Sequence, residues 1–267
     1  MGANKPYRKS LALGLLLGGL SLSSHADLYE DGLIAYASGE HALASTYFIG
    51  AAEHGNVGAE HMLARLFSEG IGVPRDSAAA LKWTKKAAEG GIALAQYNLA
   101  EMYLNGEVGS VDDAAMYQWY AKSAKGGVVM SYFRMGQLVE QGRGVAKDPP
   151  EAKFLYGVAA AELDVFAQKG DPQSQNTLAL MYENGKGVVQ NYAKAVQWYR
   201  QAANQGFAEA QFNVGRMFAA GYGVDKNDLE AMSWFRRAAQ QGYAKAKDLL
   251  DAMVKDGRGS VAMVSNR

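Results

Sequence analysis

The tryptophans of this chain stand at a fixed interval, and that interval limits the available folds more than any other feature. Trp83, Trp119, Trp198 and Trp234 are the only four in 267 residues; the first two lie thirty-six apart, as do the last two. Stepping thirty-six on from Trp119 reaches Leu155, and stepping back from Trp83 reaches Tyr47. Only one step is irregular, the forty-three residues from Leu155 to Trp198. Glycines keep the same register at Gly55, Gly91, Gly127, Gly170, Gly206 and Gly242, and again at Gly70, Gly106, Gly142, Gly185, Gly221 and Gly257. Several independent columns held in step mean that one supersecondary unit is copied along the chain, each copy burying its apolar face on the next.

The columns say what the unit is. Seven residues before the tryptophan column stand Asp76, Asp112, Asp148, Asn191 and Asn227, residues whose side-chain oxygen takes an orphaned N–H at a helix start. Apolar residues follow at helical spacing, as in Ala80, Trp83, Ala87 and again in Ala195, Trp198, Ala202, which makes one buried stripe. The glycine after each such helix suits a left-handed C-cap. A second helix carries Ala-Gln-x-x-Leu-Ala/Gly-x-x-Tyr, seen as Ala95, Gln96, Leu99, Ala100 and Tyr103, and the chain turns back through Gly-x-Gly-Val at Gly70, Gly142, Gly185 and Gly221. Each unit is therefore read as two antiparallel helices, thirteen in all. The tryptophans are read as core rather than as sugar-stacking platforms.

This pattern, Ala-x-Ala-Gln-x-x-Leu-Gly-x-x-Tyr-x-x-Gly-x-Gly-Val followed by Trp-Tyr-x-x-Ala-Ala-x-Gln-Gly, resembles the Sel-one-like repeat, a member of the tetratricopeptide-type helical repeats. The resemblance covers residues 27–259. It implies an all-α fold, a right-handed solenoid of antiparallel helix pairs with about six repeats and a C-terminal capping helix, and a role in binding proteins rather than in catalysis. Three departures stand out. The phrase from Leu155 to Gly170 is seven residues longer than its counterpart; seven is close to two turns, so the helix lengthens without rotating its stripe. The extension near Ala161 to Ala167 is expected to give a local bend or a docking knob. The loop after Tyr103 carries its second glycine at Gly109, so its shape should differ. The first hairpin, from Asp31 to Phe48, is shorter and lacks Gly-x-Gly-Val.

The two ends differ from the repeats. Lys5, Arg8 and Lys9 precede an apolar run from Leu11 to Leu22, and Ser24-His25-Ala26 follows with small residues where a signal peptidase reads. This is the layout of a secretory signal, residues 1–26, cut after Ala26; a dozen apolar residues are too few to span a bilayer. The expected address is the periplasm or beyond. Residues 260–267 read as a frayed tail.

The chain has no cysteine, which removes disulfides, thiolate metal sites, a thiol nucleophile and a lipoprotein anchor together. Zero net charge gives no reason to expect nucleic acid. Glu53-His54 and Glu60-His61 invite a metal reading, but His54 stands in the column of Gln205 and Gln241, and Glu60 in that of Gln96 and Gln211. The spacing matches no zinc motif. Gly185-Lys186-Gly187 follows a helix and lacks the Ser/Thr of a phosphate loop. No catalytic residue, metal or cofactor is expected.

What remains is surface. Counting from the column of Leu63, Leu99, Met135, Leu178 and Val214, the residues one before, two after and six after are mostly polar and lie on one stripe per helix. They comprise Arg65, Asn98, Glu101, Asn105, Arg134, Gln137, Gln141, Asn184, Asn213 and Arg216. In arrays resembling this one the first helices line a concave wall, so these residues are expected to pave a groove for a protein or peptide partner of the envelope or host, with the chain itself a monomer. Two other roles follow from the resemblance. Some exported relatives are labelled β-lactamases, a label that transfers poorly to a chain without cysteine. Others serve as scaffolds of envelope export or motility complexes.

Overall fold

The computed structural model describes residues 25–109 and 112–258. Every regular element among them is an α-helix. These are α1 (His25–Ala37), α2 (His41–Glu53), α3 (Val57–Glu69), α4 (Ser77–Glu89), α5 (Ala93–Leu104), α6 (Asp113–Lys125) and α7 (Val129–Gln141). They continue as α8 (Pro149–Gln168), α9 (Pro172–Asn184), α10 (Tyr192–Asn204), α11 (Ala208–Ala220), α12 (Asp228–Gln240) and α13 (Ala244–Lys255). The thirteen helices expected from the repeat are all present. The signal segment up to residue 24 and the tail from residue 260 lie outside the described residues.

Two compact units divide the chain: one holds α1 to α6, the other α8 to α13 with most of α7. In each, consecutive helices pack against each other and form hairpins stacked side by side, a solenoid. The first unit buries one core around Phe48, Leu63, Leu66 and Trp83, and another around Ala87, Ala95 and Leu99. The second buries a core around Tyr199, Val214, Met217 and Phe235.

Local chemistry sets the helix ends where the sequence put them. Asp76, Asp112, Asp148, Asn191 and Asn227 each occupy the N-cap and accept a hydrogen bond from a backbone N–H of the first turn, each contributing about 1 kcal/mol. Pro149 and Pro150 fill the first turn of α8, where no N–H is needed. The glycine column of Gly55, Gly91, Gly127, Gly170, Gly206 and Gly242 has positive φ throughout.

The second glycine of the Gly-x-Gly-Val turn has a harsher requirement than φ. A Cβ on Gly223 would lie 2.4 Å from the backbone carbonyl of Tyr192, at the start of α10. On Gly72 it would lie 2.3 Å from His41, and on Gly144 2.0 Å from Asp113, again at a helix start. The turn of one hairpin thus rests directly on the backbone of the hairpin before it. Gly109, by contrast, meets nothing within 4 Å, as its shifted place in the sequence led us to expect.

The tryptophan column packs on the core as expected, though unevenly. Trp83 and Trp234 are buried, but Trp119 and Trp198 are only half-buried. The fully enclosed aromatic is the next residue, as with Tyr120, Tyr199 and Phe235. It faces a small residue twenty positions back: Gly215 admits Phe235, whose ring atoms would sit 2.6 Å from any Cβ there, and Gly136 admits Tyr156. The tryptophan ring lies at the rim, with Lys122 4.0 Å from the centroid of Trp119 and Arg237 4.5 Å from that of Trp234.

The lengthened helix α8 is one continuous element from Pro149 to Gln168. The Gly185–Val188 turn rests on Tyr156 and Gly157, not on the first residue of the helix, so residues 149–155 project beyond it. The upstream half of α8 packs on α7, with Tyr156 against Phe133 at 5.6 Å between centroids. The downstream half packs on α9, where Gln175 donates to the Ala167 carbonyl at 2.9 Å.

Paired substitutions separate the two demands on glycine. Gly223→Ala should cost about 2–4 kcal/mol, since both φ and a backbone clash oppose it. Gly106→Ala, with φ of 75° and open space around it, should cost roughly 1 kcal/mol. Urea denaturation of the two variants checks this; equal losses would mean that the close approach is not what the turn requires.

Candidate binding faces and the polar ladder

The polar groups that structure places deepest are those that tie one hairpin to the next. The glutamine of each Ala-Gln pair is buried and donates to a carbonyl at the end of the preceding helix: Gln96 to Ala88 at 3.1 Å, Gln175 to Ala167 at 2.9 Å and Gln211 to Ala203 at 3.2 Å. Each of these carbonyls already accepts the backbone N–H of the glycine three residues on, Gly91, Gly170 or Gly206, and the glutamine adds a donor from the next hairpin. The glutamines are then joined laterally, Gln205 to Gln175 at 2.8 Å and Gln241 to Gln211 at 2.9 Å. In the first unit Glu60 takes the glutamine's place and faces Lys86 at 3.6 Å.

A second set lies on the turns. The middle residue of Gly-x-Gly sits over the residue thirty positions back, and the pair changes character together. Arg143 makes a two-pronged contact with Asp113 at 2.6 and 3.2 Å, as Arg258 does with Asp228 at 2.5 and 3.0 Å. Tyr222 stacks on Tyr192 at 5.1 Å between centroids, and Lys186 lies 5.2 Å from that of Tyr156. The hydrogen bond from Arg258 holds the Asp228 carboxyl below the usual carboxylate range. The bond from Lys186, aided by the Tyr156 hydroxyl, does the same for Glu140.

Three tyrosines carry glutamates across the hairpins. Tyr120 donates to Glu101 at 2.7 Å, Tyr156 to Glu140 at 3.0 Å and Tyr199 to Glu183 at 2.7 Å. Burial, then the adjacent carboxylate, raises the phenols of Tyr156 and Tyr199 above their ordinary range. Glu183 is itself buried, and both of its carboxylate oxygens accept from the one Nη2 of Arg216, at 2.8 and 3.0 Å.

The residues expected to meet a partner therefore divide. Asn213 is buried and donates to Asn176 at 3.1 Å; Arg216 is held by Glu183, and Glu101 by Tyr120. Their structural use is fixed by neighbours nineteen to thirty-seven residues away, which a count along one helix cannot reveal. Arg134 bonds Gln137 at 3.2 Å, Asn184 turns back to the Leu180 carbonyl, and Gln141 is exposed. Asn105 is exposed and donates to Glu107 at 3.3 Å.

Arg65 and Asn98 come together. They line a cavity of about 540 Å³ enclosed by α3, α4 and α5 in the first unit, with His61, Glu69, Thr84, Leu94, Met102 and Glu107. Arg65 pairs with Glu69 at 3.0 Å across one turn. The Nδ1 atom of His61 is buried without a hydrogen-bond partner, and burial, then the charge of Arg65, pushes its pKa down. His54 uses Nδ1 on the Gly50 carbonyl at 2.8 Å. Among the described residues no group of three His, Asp or Glu could hold a metal ion, and no helix is long and apolar enough to cross a membrane.

Stacked antiparallel hairpins with a copied polar ladder define an α-solenoid repeat protein. The family model for the Sel1 repeat matches residues 57–92, 93–128, 129–162, 172–207 and 208–243, more than half of the chain, and the chain belongs to that family. Sel1 repeats are in general protein-interaction modules. Among solved structures the chain is similar to a Sel1 repeat protein from Oxalobacter formigenes, at 28% identity and TM-score 0.65, covering 88% of this chain and 91% of that one. It is also similar to c5321, described as a protective antigen of uropathogenic Escherichia coli strains with an SLR fold, at 31% identity and TM-score 0.55. That match covers 93% of this chain but 52% of the antigen, so the chain spans about half its length. No curated protein matches.

The depressed pKa of His61 has a sign that can be measured. Because the folded value lies below the ordinary 6.5, the unfolded chain binds the proton more readily. His61 therefore favours the folded state above pH 6.5, and that contribution is lost as pH falls through the lower folded value. Replacing it by His61→Gln should flatten the decline of melting temperature between roughly pH 7 and pH 5; an unchanged slope would show that the imidazole does not titrate against burial.

Proposed function

We propose that the chain is a non-catalytic adaptor of the bacterial envelope that captures a protein or peptide on the faces of its first helices. The observation that carries this reading is the cavity of α3, α4 and α5, lined by Arg65 in its ion pair with Glu69, by Asn98, by the apolar side chains of Leu94 and Met102, and by His61, whose Nδ1 has no hydrogen-bond partner. Hydrogen-bonding groups around apolar lining suit the insertion of a side chain with its backbone. Membership of a family of interaction modules supports the same reading. Export rests on the charged start, the apolar run and the small residues before Asp27. Helix α1 begins at His25, so cleavage after Ala26 removes only its first two residues.

Two measurements test the proposal. Capture from envelope extracts by the tagged chain, compared with Arg65→Ala/Asn98→Ala, should fall at least about tenfold while the melting temperature stays close to wild type, because both side chains are at the surface. Undiminished capture by the double variant would reject this face. N-terminal sequencing of the protein expressed in a bacterium should begin at Asp27; a chain that retains residues 1–26 would reject the address.

A further inference from the structure

Helix α8 presents an apolar stripe where its sister helices are polar. The outward column of α10 reads Lys194, Gln197, Gln201 and Asn204, and that of α12 reads Glu230, Ser233, Arg237 and Gln240. In the longer α8 the same stripe runs Glu151, Phe154, Val158, Ala161, Val165 and Gln168, apolar at its four middle positions. Phe154 is 63% and Val165 48% exposed. A shallow groove of about 640 Å³ runs along this face beside Lys153 and Gly157, and nothing lies within 4 Å of where a Cβ on Gly157 would stand. The next hairpin's turn, which covers the helix start elsewhere, here lands seven residues in, on Tyr156 and Gly157. The first turns of α8 are left without a cover.

We propose that a second copy of this chain covers the stripe, helix against helix and antiparallel. The order of the residues carries the choice of occupant. The spacing of Phe154, Val158, Ala161 and Val165 is four, three, four, so it reads the same in both directions about a point between Ala159 and Ala160. A two-fold axis through that point sets Phe154 opposite the second copy's Val165, and Val158 opposite its Ala161. Self-complementarity of this kind is what a two-fold interface demands. Charge agrees. Glu151 and Lys169 are both exposed and stand eighteen residues apart, five whole turns, on one flank of the stripe. The same axis brings Glu151 of each copy to within one residue of Lys169 of the other, an opposite-charge pair at each end. This surface is separate from the faces of the first helices, so it stands or falls independently of partner capture there.

One helix pair makes a small interface, so a dimer of modest affinity is expected, visible over roughly 1 to 200 µM. Sedimentation equilibrium on the full mature chain should show the mass doubling across that range. Phe154→Asp/Val165→Asp should leave a monomer with an unchanged melting temperature, since both side chains are exposed. Glu151→Lys alone should weaken association by about threefold to tenfold, and Glu151→Lys/Lys169→Glu should restore it. A wild-type chain that stays monomeric, including one whose α8 face instead engages an unrelated protein, overturns the proposal. So does a dimer that survives the double aspartate variant, or a charge swap that restores nothing.

Discussion

The contact on which the stacking depends is a glycine lying on a peptide group. Where the Gly-x-Gly-Val turn meets the preceding hairpin, the gap between backbones leaves no room for one carbon atom at Gly72, Gly144, Gly187 or Gly223. Close packing of this kind fixes the height at which a hairpin meets its neighbour. Once that height is set, the glutamine of the next helix reaches a carbonyl at the end of the helix before it, and the residue between the two glycines finds its partner thirty positions back. Each polar link is worth only about 1 kcal/mol, but each exists because the backbone contact places it.

The same register explains why the interior tolerates so many polar groups. Gln175, Gln211, Asn176, Asn213 and Glu183 are all buried in the second unit, yet each has a partner from another helix. A buried polar group without a partner is costly; satisfied, it rejects any offset of one hairpin against the next. Apolar packing alone, with alanines and leucines repeated at every level, would accept several offsets nearly equally.

Most of the fold was legible from sequence because each rule is local. The caps from Asp76 to Asn227 and the glycines after each helix concern residues within a turn or two of each other, and the thirty-six-residue period repeats these same local signals along the chain. The tryptophans were read as core and do pack on it, but the still more enclosed ring beside them, at Tyr120, Tyr199 and Phe235, was not singled out. The smallness of Gly136 and Gly215 was the available signal, and it pointed twenty positions forward. Of the binding candidates, Arg65 and Asn98 were placed together at a cavity, but Asn213 and Arg216 were absorbed by Asn176 and Glu183. Those partners lie on a neighbouring helix, and periodicity along one helix says nothing about them.

The long helix α8 meets α7 in one register and α9 in another, seven residues further along. Seven residues advance an α-helix by about 10 Å and return it to within about 20° of its starting azimuth. An array assembled by duplication can therefore lengthen a member only in certain quanta: seven or eleven residues slide the downstream copies along the axis, whereas two or five would swing them to the far side and strip every junction. Such a helix works as a spacer of fixed step, and lineages that shuffle these hairpins can alter the distance between two groups of repeats without redesigning either.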